Sequence, residues 1–269
     1  MEKVRVLFVF QEITPYLPES PMSLIGRNLP QGIQEKGKEI RIFMPKYGCI
    51  NERRNQLHEV IRLSGMNLII NNNDHPLIIK VASIQSARMQ IYFIDNEDFF
   101  SRKHTLKDDN NNEFPDNDER LIFFNRGVIE TINKLNWTPD IIHCHGWFTS
   151  LLPLYVKKSY HDNPLFANTK IVYSIYNDAF KKQLNTNFKN KVLFDGVTKK
   201  DVEILTPPSY INLIKLAVKH SDAIILGSKD LHKDIPETLK GIKKPVLPCL
   251  EEAMITVYSD FYDKIVAEK

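Results

Sequence analysis

Apolar and polar positions along the chain follow patterns that predict strands alternating with helices. Residues 4–10 are apolar except for Arg5, which is typical of a central strand covered on both faces. Ser20 and Pro21 favour the start of a helix, and the apolar residues after them recur every three or four positions until Gly37. A second strand is expected at residues 39–44. The start of the chain therefore predicts a right-handed βαβ unit.

The next part of the chain predicts a small antiparallel meander. Polar turn residues separate four short apolar runs, which lie at residues 60–63, 68–70, 77–81 and 90–94. The asparagine-rich residues 71–74 are the strongest of these turn signals. Residues 101–118 are polar and rich in asparagine, so a surface loop is expected there.

Strands and helices alternate again in the second half of the chain. Helices are predicted at residues 118–135, 147–158, 210–219 and 229–234. Strands are predicted at residues 141–144, 170–175 and 223–226, and residues 249–266 again have apolar positions at helical spacing. This rhythm favours an α/β fold with a doubly wound, mostly parallel Rossmann-like sheet. Ligands of such sheets bind beyond the carboxyl ends of the strands.

Length and composition limit the kinds of molecule that this protein is expected to bind. The 269 residues are enough for one large α/β domain, and the net charge of +3 is spread along the chain rather than gathered in a basic patch. Cys49, Cys144 and Cys249 are widely separated, so they fit neither a disulfide framework nor a zinc-binding motif. No apolar run approaches the roughly eighteen residues that span a membrane. We expect a cytoplasmic protein that binds neither nucleic acid nor membrane.

The segment 137–147, WTPDIIHCHGW, carries the candidate chemistry because it ends a predicted strand with two histidines and a tryptophan. On a strand, His143 and His145 point to one face and Cys144 to the other. Two histidines on one face are half of a zinc site, but the sequence offers no third ligand at a suitable spacing. No metal and no cofactor are therefore expected.

Several segments, in order, resemble the N-terminal domain of bacterial glycogen synthases and plant starch synthases. They are residues 29–48, 116–130, 137–147, 170–177 and 211–228. The resemblance implies the N-terminal half of a GT-B glycosyltransferase, a retaining glucosyltransferase built from two facing Rossmann-like domains. It places an acceptor-side domain at residues 1–248 and a returning helix at residues 249–269. The second, donor-binding domain is expected to be absent.

The resemblance also assigns candidate site residues. It places His145 beside the reacting sugar as the catalytic candidate, and Trp147 in the region that binds acceptor glucan. Tyr176, at the position of a family histidine, and Asn177 are expected to contact ligand in the same crevice. Lys46 and Tyr47, after the second strand, complete the candidate substrate-binding residues. Each also has a structural alternative, as a buried, hydrogen-bonded or turn-forming residue.

The chain departs from the family pattern where a sugar nucleotide binds. The family's lysine-threonine-glycine-glycine-leucine loop falls on residues 18–22, where the lysine and both glycines are lost. Glu19 would repel a diphosphate, and Pro21 lacks the N–H that a phosphate cradle requires. These changes in the loop predict poor binding of a sugar nucleotide. Gly146 also stands where the family has an aspartate, and the loss of a carboxylate that could bind sugar hydroxyls predicts weaker binding of the acceptor.

Three functions remain open on the sequence. The favoured one is a degenerate acceptor-side module without transferase activity of its own, which holds α-glucan or pairs with a protein partner or a second copy through the exposed crevice. The second is an active enzyme that moves glucose from ADP-glucose to α-1,4-glucan together with a separate donor domain. The third is an unrelated α/β ligand-binding protein.

Overall fold

A computed structural model describes residues 3–250 and 254–267. Its strands are β1 (Arg5–Phe10), β2 (Glu39–Pro45), β3 (His58–Glu59), β4 (Met66–Ile70), β5 (Asn73–Ile84), β6 (Met89–Asp95), β7 (Ile141–His145), β8 (Lys170–Ile175), β9 (Ala223–Leu226) and β10 (Val246–Leu247). Its helices are α1 (Pro21–Glu35), α2 (Glu97–Phe100), α3 (Asn117–Leu135), α4 (Leu152–Lys158), α5 (Phe188–Lys191), α6 (Lys199–Val202), α7 (Tyr210–His220), α8 (Ile235–Leu239) and α9 (Ile255–Ala267).

The sheet has the strand order β10-β9-β8-β7-β1-β2-β6-β5-β3, with β4 paired to β5. From β10 to β6 every neighbouring pair is parallel, which confirms the predicted doubly wound α/β fold. From β1 the chain adds β2 and β6 on one side of the sheet, and later β7, β8, β9 and β10 on the other side. The strand order therefore reverses between β1 and β7. The carboxyl ends of these two strands form the crevice where ligands of such sheets bind.

The antiparallel part lies at the other edge of the sheet. β5 pairs antiparallel with β6, β4 and β3. Asn71 and Asn72 join β4 to β5 with positive φ angles of 50° and 64°, which suits a tight hairpin. The strand expected at residues 60–63 was wrong. The chain turns there because the N–H of Leu63 bonds to the carbonyl of Val60, and Ile61 is 82% exposed.

Two predicted helices differ in the structure. The one expected at residues 147–158 is a 3₁₀ turn, Trp147–Thr149, followed by α4, with Pro153 in the first turn of α4. The helix expected at residues 229–234 was wrong, since α8 starts only at Ile235 and has Pro236 in its first turn. No described helix is long and apolar enough to cross a membrane.

The last helix, α9, packs against α1 and reaches the centre of the sheet. A Cβ atom on Gly32 would lie 2.6 Å from Cγ1 of Ile255, so α1 and α9 touch where α1 has no side chain. Lys38 donates to the Ser259 hydroxyl at 2.8 Å, and the Tyr262 hydroxyl lies 2.6 Å from a ring nitrogen of His143. Residues 251–253, 268 and 269 of the predicted C-terminal segment lie outside the described residues, and a boundary at residue 248 stays a prediction.

Candidate functional site

The carboxyl ends of β1, β7 and β8 meet around one turn, residues 146–148. Gln11, directly after β1, accepts the backbone N–H of Phe148 on its side-chain oxygen at 3.2 Å. Asp178, shortly after β8, accepts the backbone N–H of Trp147 at 2.9 Å. Two polar side chains from neighbouring strands therefore satisfy the first amides of the turn that follows β7.

Gly146 is the close-packed centre of this arrangement. Its φ of 81° and ψ of 167° belong to a backbone region that is nearly exclusive to glycine. A Cβ atom there would lie 2.6 Å from the methyl of Met22, 2.8 Å from the Asp178 carboxylate and 3.0 Å from the Gln11 oxygen. Residue 146 therefore needs to lack a side chain for the neighbouring strands to reach the turn.

Asp178 is the most perturbed carboxyl group of the crevice. Burial raises its pKa to about 7, against the opposing effect of hydrogen bonds from Trp147 and from the Tyr210 hydroxyl. The Tyr210 hydroxyl lies 3.2 Å from the carboxylate, and the negative charge of Glu12 raises the pKa of Asp178 further. Near neutral pH this carboxyl group is therefore protonated in part of the molecules.

His143 and His145 lie next to each other on one face of β7, as their alternation predicts, with ring centroids 3.7 Å apart and ring planes tilted by 40°. His143 contacts the hydroxyls of Tyr262 and Ser174, at 2.6 and 2.7 Å, and His145 contacts the Tyr176 hydroxyl at 2.9 Å. Both histidines are fully buried, which lowers the pKa of His143 to about 3 and that of His145 well below its usual value. Both imidazoles are therefore neutral.

The surroundings of His145 bear directly on its predicted role. The side chain has no exposed surface, and its ring stacks on Phe10 with a centroid distance of 3.9 Å. Its Nε2 atom is buried without a hydrogen-bond partner. A catalytic role for His145 stays a prediction. It requires neighbouring residues to move, because the side chain has no surface that a ligand could contact. No group of three or more metal-ligating side chains occurs within residues 3–250 and 254–267.

Tyr176 closes the floor of the crevice beside His145. Its ring lies against Gly227, where a Cβ atom would come within 2.6 Å of the ring, and only 3% of its surface is exposed. Asn177, the next residue, is exposed. Asn177 lines a cavity of about 420 Å³ together with Pro21 and Leu250. The structure therefore separates these two predicted residues, one in the floor and one in a cavity wall.

Trp147 lies beside a second cavity, of about 400 Å³, which we call the tryptophan cavity. The loop before α3 and the segment before α5 form its walls. The Phe180 ring packs edge-on against the Trp147 ring at 4.8 Å, and only 3% of the tryptophan surface is exposed. Phe114 adds a third ring to the lining, and Asn117 and Asn185 add amide groups. This cavity combines aromatic rings and amides with one acidic and one basic residue, Glu113 and Lys182.

Lys46 and Tyr47 line neither of these cavities. Lys46 forms an ion pair with Glu52 at 2.5 Å. Tyr47 is 1% exposed and packs against the rings of Phe100 and Phe148. These contacts match the structural alternative for both residues.

Sequence reasoning did not select Gln11, Glu12, Asp178 and Tyr210. Gln11, Glu12 and Asp178 have a signal in common, because each is a polar residue just beyond an apolar strand. Tyr210 has no comparable signal, since it starts a helix distant in sequence and reaches Asp178 only through the fold.

The start of α1 is satisfied from within the chain. Ser20 caps the helix by accepting the N–H of Ser23 at 3.0 Å, and the Ser20 hydroxyl donates to the Glu12 carboxylate. Burial raises the pKa of Glu12. Helix N-termini attract anions, and here a carboxylate of the protein lies beside that position.

Comparison with known proteins places the chain in one family. The family model described as the starch synthase catalytic domain matches residues 5–244. The glycogen synthase of Chlorobium limicola is 35% identical over 226 residues, which are 84% of this chain and 46% of that protein. The glycogen synthase of Chlorobium chlorochromatii is 38% identical over 248 residues, or 90% of this chain and 50% of that protein.

The structural comparison agrees on the fold. The catalytic domain of Starch Synthase IV from Arabidopsis thaliana, bound to ADP and acarbose, superposes with a TM-score of 0.74 and 18% identity, covering 93% of this chain and 52% of that chain. The chain spans about half the length of the curated relatives it matches. These matches exclude an unrelated α/β protein. The chain belongs to the starch synthase catalytic domain family of glycosyltransferases.

Proposed function

We propose that this chain is the acceptor-side unit of a glycogen or starch synthase-type glucosyltransferase, and that it holds α-glucan in the tryptophan cavity without transferring glucose by itself. The observation that carries the second half of this proposal is the Glu12 carboxylate beside the start of α1. A negatively charged group of the protein stands where a helix would otherwise attract a phosphate.

The tryptophan cavity supports binding of a neutral sugar. Its volume of about 400 Å³ suits a few sugar rings, and its lining joins aromatic rings to the amides of Gln183 and Asn185. Aromatic rings pack against the apolar faces of sugars, whereas amides donate to and accept from hydroxyl groups. Trp147 and Phe180 are the proposed contact residues.

The remaining candidate residues have different proposed roles. His145 and Tyr176 form the floor of the crevice through their 2.9 Å hydrogen bond, and His145 is the residue nearest the sugar once the floor opens. Asn177 contacts ligand from the neighbouring cavity. Lys46 and Tyr47 are left out of the proposal because their contacts lie with other protein side chains.

The start of α1 argues against tight binding of ADP-glucose. A diphosphate needs N–H donors and positive charge, but Pro21 contributes no N–H and the N–H of Ser23 is already bonded to Ser20. Glu12 adds repulsion, and Asp178 adds a second carboxyl group within the same crevice. The electrostatic stabilisation that phosphate departure requires is therefore lacking at this end of α1.

A fluorescence titration tests the glucan part. The Trp137→Phe variant leaves Trp147 as the only tryptophan, because the chain has two, and Trp137 donates instead to Glu39 at 2.6 Å. Titration with maltoheptaose should change the Trp147 emission saturably, while sorbitol at equal concentration should leave it unchanged. A flat response to maltoheptaose, with no heat of binding by calorimetry, would overturn the proposal. A thermal melt of the variant confirms that it is folded.

The second candidate is an active ADP-glucose:α-1,4-glucan glucosyltransferase that works with a separate donor domain. The observation that favours it is that the relatives extend over about twice the length of this chain. Adding the unmatched part of the Chlorobium limicola glycogen synthase should then produce glucose transfer that neither piece shows alone. If that mixture stays inactive while each piece is folded, this candidate loses its support.

We also propose that a protein partner or a second copy of the chain binds at the crevice. Sedimentation velocity over a hundredfold concentration range tests the second copy. A constant monomer mass would contradict self-association.

A further inference from the structure

Five buried polar side chains connect α9 with the floor of the crevice, and we call them the polar line. The Tyr262 hydroxyl lies 2.6 Å from Nδ1 of His143, and Nε2 of the same ring lies 2.7 Å from the Ser174 hydroxyl. At the other end, the Tyr176 hydroxyl lies 2.9 Å from Nδ1 of His145. Burial raises the pKa of Tyr176, and a hydrogen bond from the Ser174 hydroxyl opposes this rise, so Ser174 joins the two halves. None of the five residues is more than 3% exposed.

The contacts of His143 have opposite directions. Both histidines are neutral because burial lowers their pKa values, so each ring has one N–H group and one bare nitrogen. The N–H group donates a hydrogen bond, whereas the bare nitrogen accepts one. If Tyr262 donates to Nδ1 of His143, Nε2 donates to Ser174, and if Nδ1 donates to Tyr262, Ser174 donates to Nε2. The direction of the contact with α9 therefore sets the tautomer of His143.

Two observations favour donation by Tyr262. Its hydroxyl lies 2.6 Å from Nδ1, which is shorter than the range of about 2.7–3.2 Å in which an N–H donates to oxygen, whereas hydroxyl donors approach more closely. Independently, the Ser174 hydroxyl has a single proton, and it donates this proton to Tyr176. His143 must then donate from Nε2 to Ser174, which leaves Nδ1 as the acceptor for Tyr262.

The same direction continues to His145. The Tyr176 hydroxyl accepts from Ser174, and its own proton is directed to Nδ1 of His145. The proton of the His145 ring therefore lies on Nε2. This atom is buried and has no hydrogen-bond partner among the described residues.

We propose that Tyr262 is a positioning residue for the crevice, and that through the polar line it holds His145 in the tautomer that carries its proton on Nε2. His145 then offers a hydrogen-bond donor to a ligand oxygen, and it cannot accept a proton at that atom. A residue of α9 thereby sets the chemistry of a side chain with which it has no hydrogen bond. The inference concerns the chain without a ligand, so it does not depend on the proposed function.

Nuclear magnetic resonance tests the tautomers directly. Long-range proton–nitrogen correlation spectra of isotope-labelled protein show which nitrogen of a neutral histidine carries the proton. His145 is assigned through nuclear Overhauser contacts with the Phe10 ring, whose centroid is 3.9 Å away. His143 is assigned through contacts with the ring of residue Tyr262 at 5.7 Å.

Three variants separate the polar line from general effects on packing. Tyr262→Phe removes only the hydroxyl that starts the line. The matched control is Tyr258→Phe, one turn earlier on α9, because the Tyr258 ring lies 6.5 Å from that of His143 and both nitrogens of His143 are bonded to other residues. Ser174→Ala interrupts the line between the two histidines. Thermal melts of all three variants verify folding.

In the wild type, both histidines should carry the proton on Nε2. Tyr262→Phe should raise the fraction of His145 with its proton on Nδ1 roughly tenfold, because the hydrogen bond that sets the direction is lost, and Tyr258→Phe should leave this fraction unchanged. Ser174→Ala should have the same effect on His145, while His143 keeps its tautomer through Tyr262.

A wild-type His145 with its proton on Nδ1 would overturn the proposal. An unchanged His145 in folded Tyr262→Phe would overturn it as well, since the line would then transmit nothing from α9. If Tyr262→Phe does not fold, an unchanged His145 in Ser174→Ala has the same consequence.

Discussion

Replacing Gly146 with alanine tests the geometry on which the crevice depends. The new Cβ would face the Met22 methyl at 2.6 Å and the Asp178 carboxylate at 2.8 Å. The Met22 methyl is the flexible end of a side chain and can move away. The carboxylate is held by Trp147 and Tyr210, so its displacement breaks the hydrogen bond to the Trp147 N–H.

The expected loss of stability has two parts. A non-glycine residue held at φ 81° and ψ 167° costs about 1–3 kcal/mol. Leaving the buried N–H of Trp147 without its acceptor costs about 1–3 kcal/mol more. Together they amount to about 2–6 kcal/mol, which lowers the Tm of a chain of this size by roughly 5–20 °C.

Thermal unfolding followed by circular dichroism measures this loss, with Gly37→Ala as the matched control. Gly37 also has a positive φ, of 91°, but no atom lies within 4 Å of its added Cβ. The control therefore isolates the backbone cost of about 1 kcal/mol. If Gly146→Ala lowers the Tm no more than Gly37→Ala does, the close approach of Asp178 to the turn is refuted.

Three further changes probe other parts of the structure. Burial raises the pKa of Asp178 from 3.8 to about 7, so its contribution to stability is complete below about pH 4 and is lost as the pH rises through 7. Chemical denaturation at pH 5 and pH 8 should therefore show the stability of the wild type falling relative to Asp178→Asn, and a constant difference would contradict the shifted pKa. Lys244 donates to three backbone carbonyls at the end of α7. In a urea titration, Lys244→Met should therefore lower the free energy of unfolding by about 1–3 kcal/mol, whereas Lys243→Met should lower it by almost nothing. Equal effects of the two substitutions would refute the capping role of Lys244. Arg120 is fully buried and donates to two carbonyls and one amide oxygen. Arg120→Met should therefore cost about 1–3 kcal/mol for each buried acceptor left unpaired, and it should speed amide hydrogen exchange in residues 101–116. Unchanged exchange would show that Arg120 does not hold this loop.

The fold could be predicted from the sequence wherever the pattern was long. The apolar strand at the start of the chain and the capped helix after it lie where periodicity put them, because burial on one or both faces leaves a repeated signal. The segments at residues 60–63 and 229–234, where the predicted strand and helix were wrong, are both short. Four to six residues offer too few positions for a periodic pattern to distinguish a strand or a helix from a turn.

The candidate site could be predicted only in part. The contact between His143 and His145 on one face of β7 follows from strand alternation, and their position at the carboxyl end of the strand follows from the parallel sheet. The contact of Gln11 with Phe148 joins residues 137 positions apart, and it depends on strand register and side-chain conformation. The cavity beside the β4–β5 hairpin is a stronger case, since residues near 70 and near 190 line it together only in the folded chain.

A transfer assay tests most directly whether the chain holds glucan without transferring glucose. Purified protein is incubated with radiolabelled ADP-glucose and a saturating concentration of maltoheptaose, and label in the oligosaccharide is counted after separation. Maltoheptaose should bind, and the label in it should not exceed that of a blank without protein. Sustained incorporation of labelled glucose by the chain alone would contradict the claim and establish the active enzyme instead.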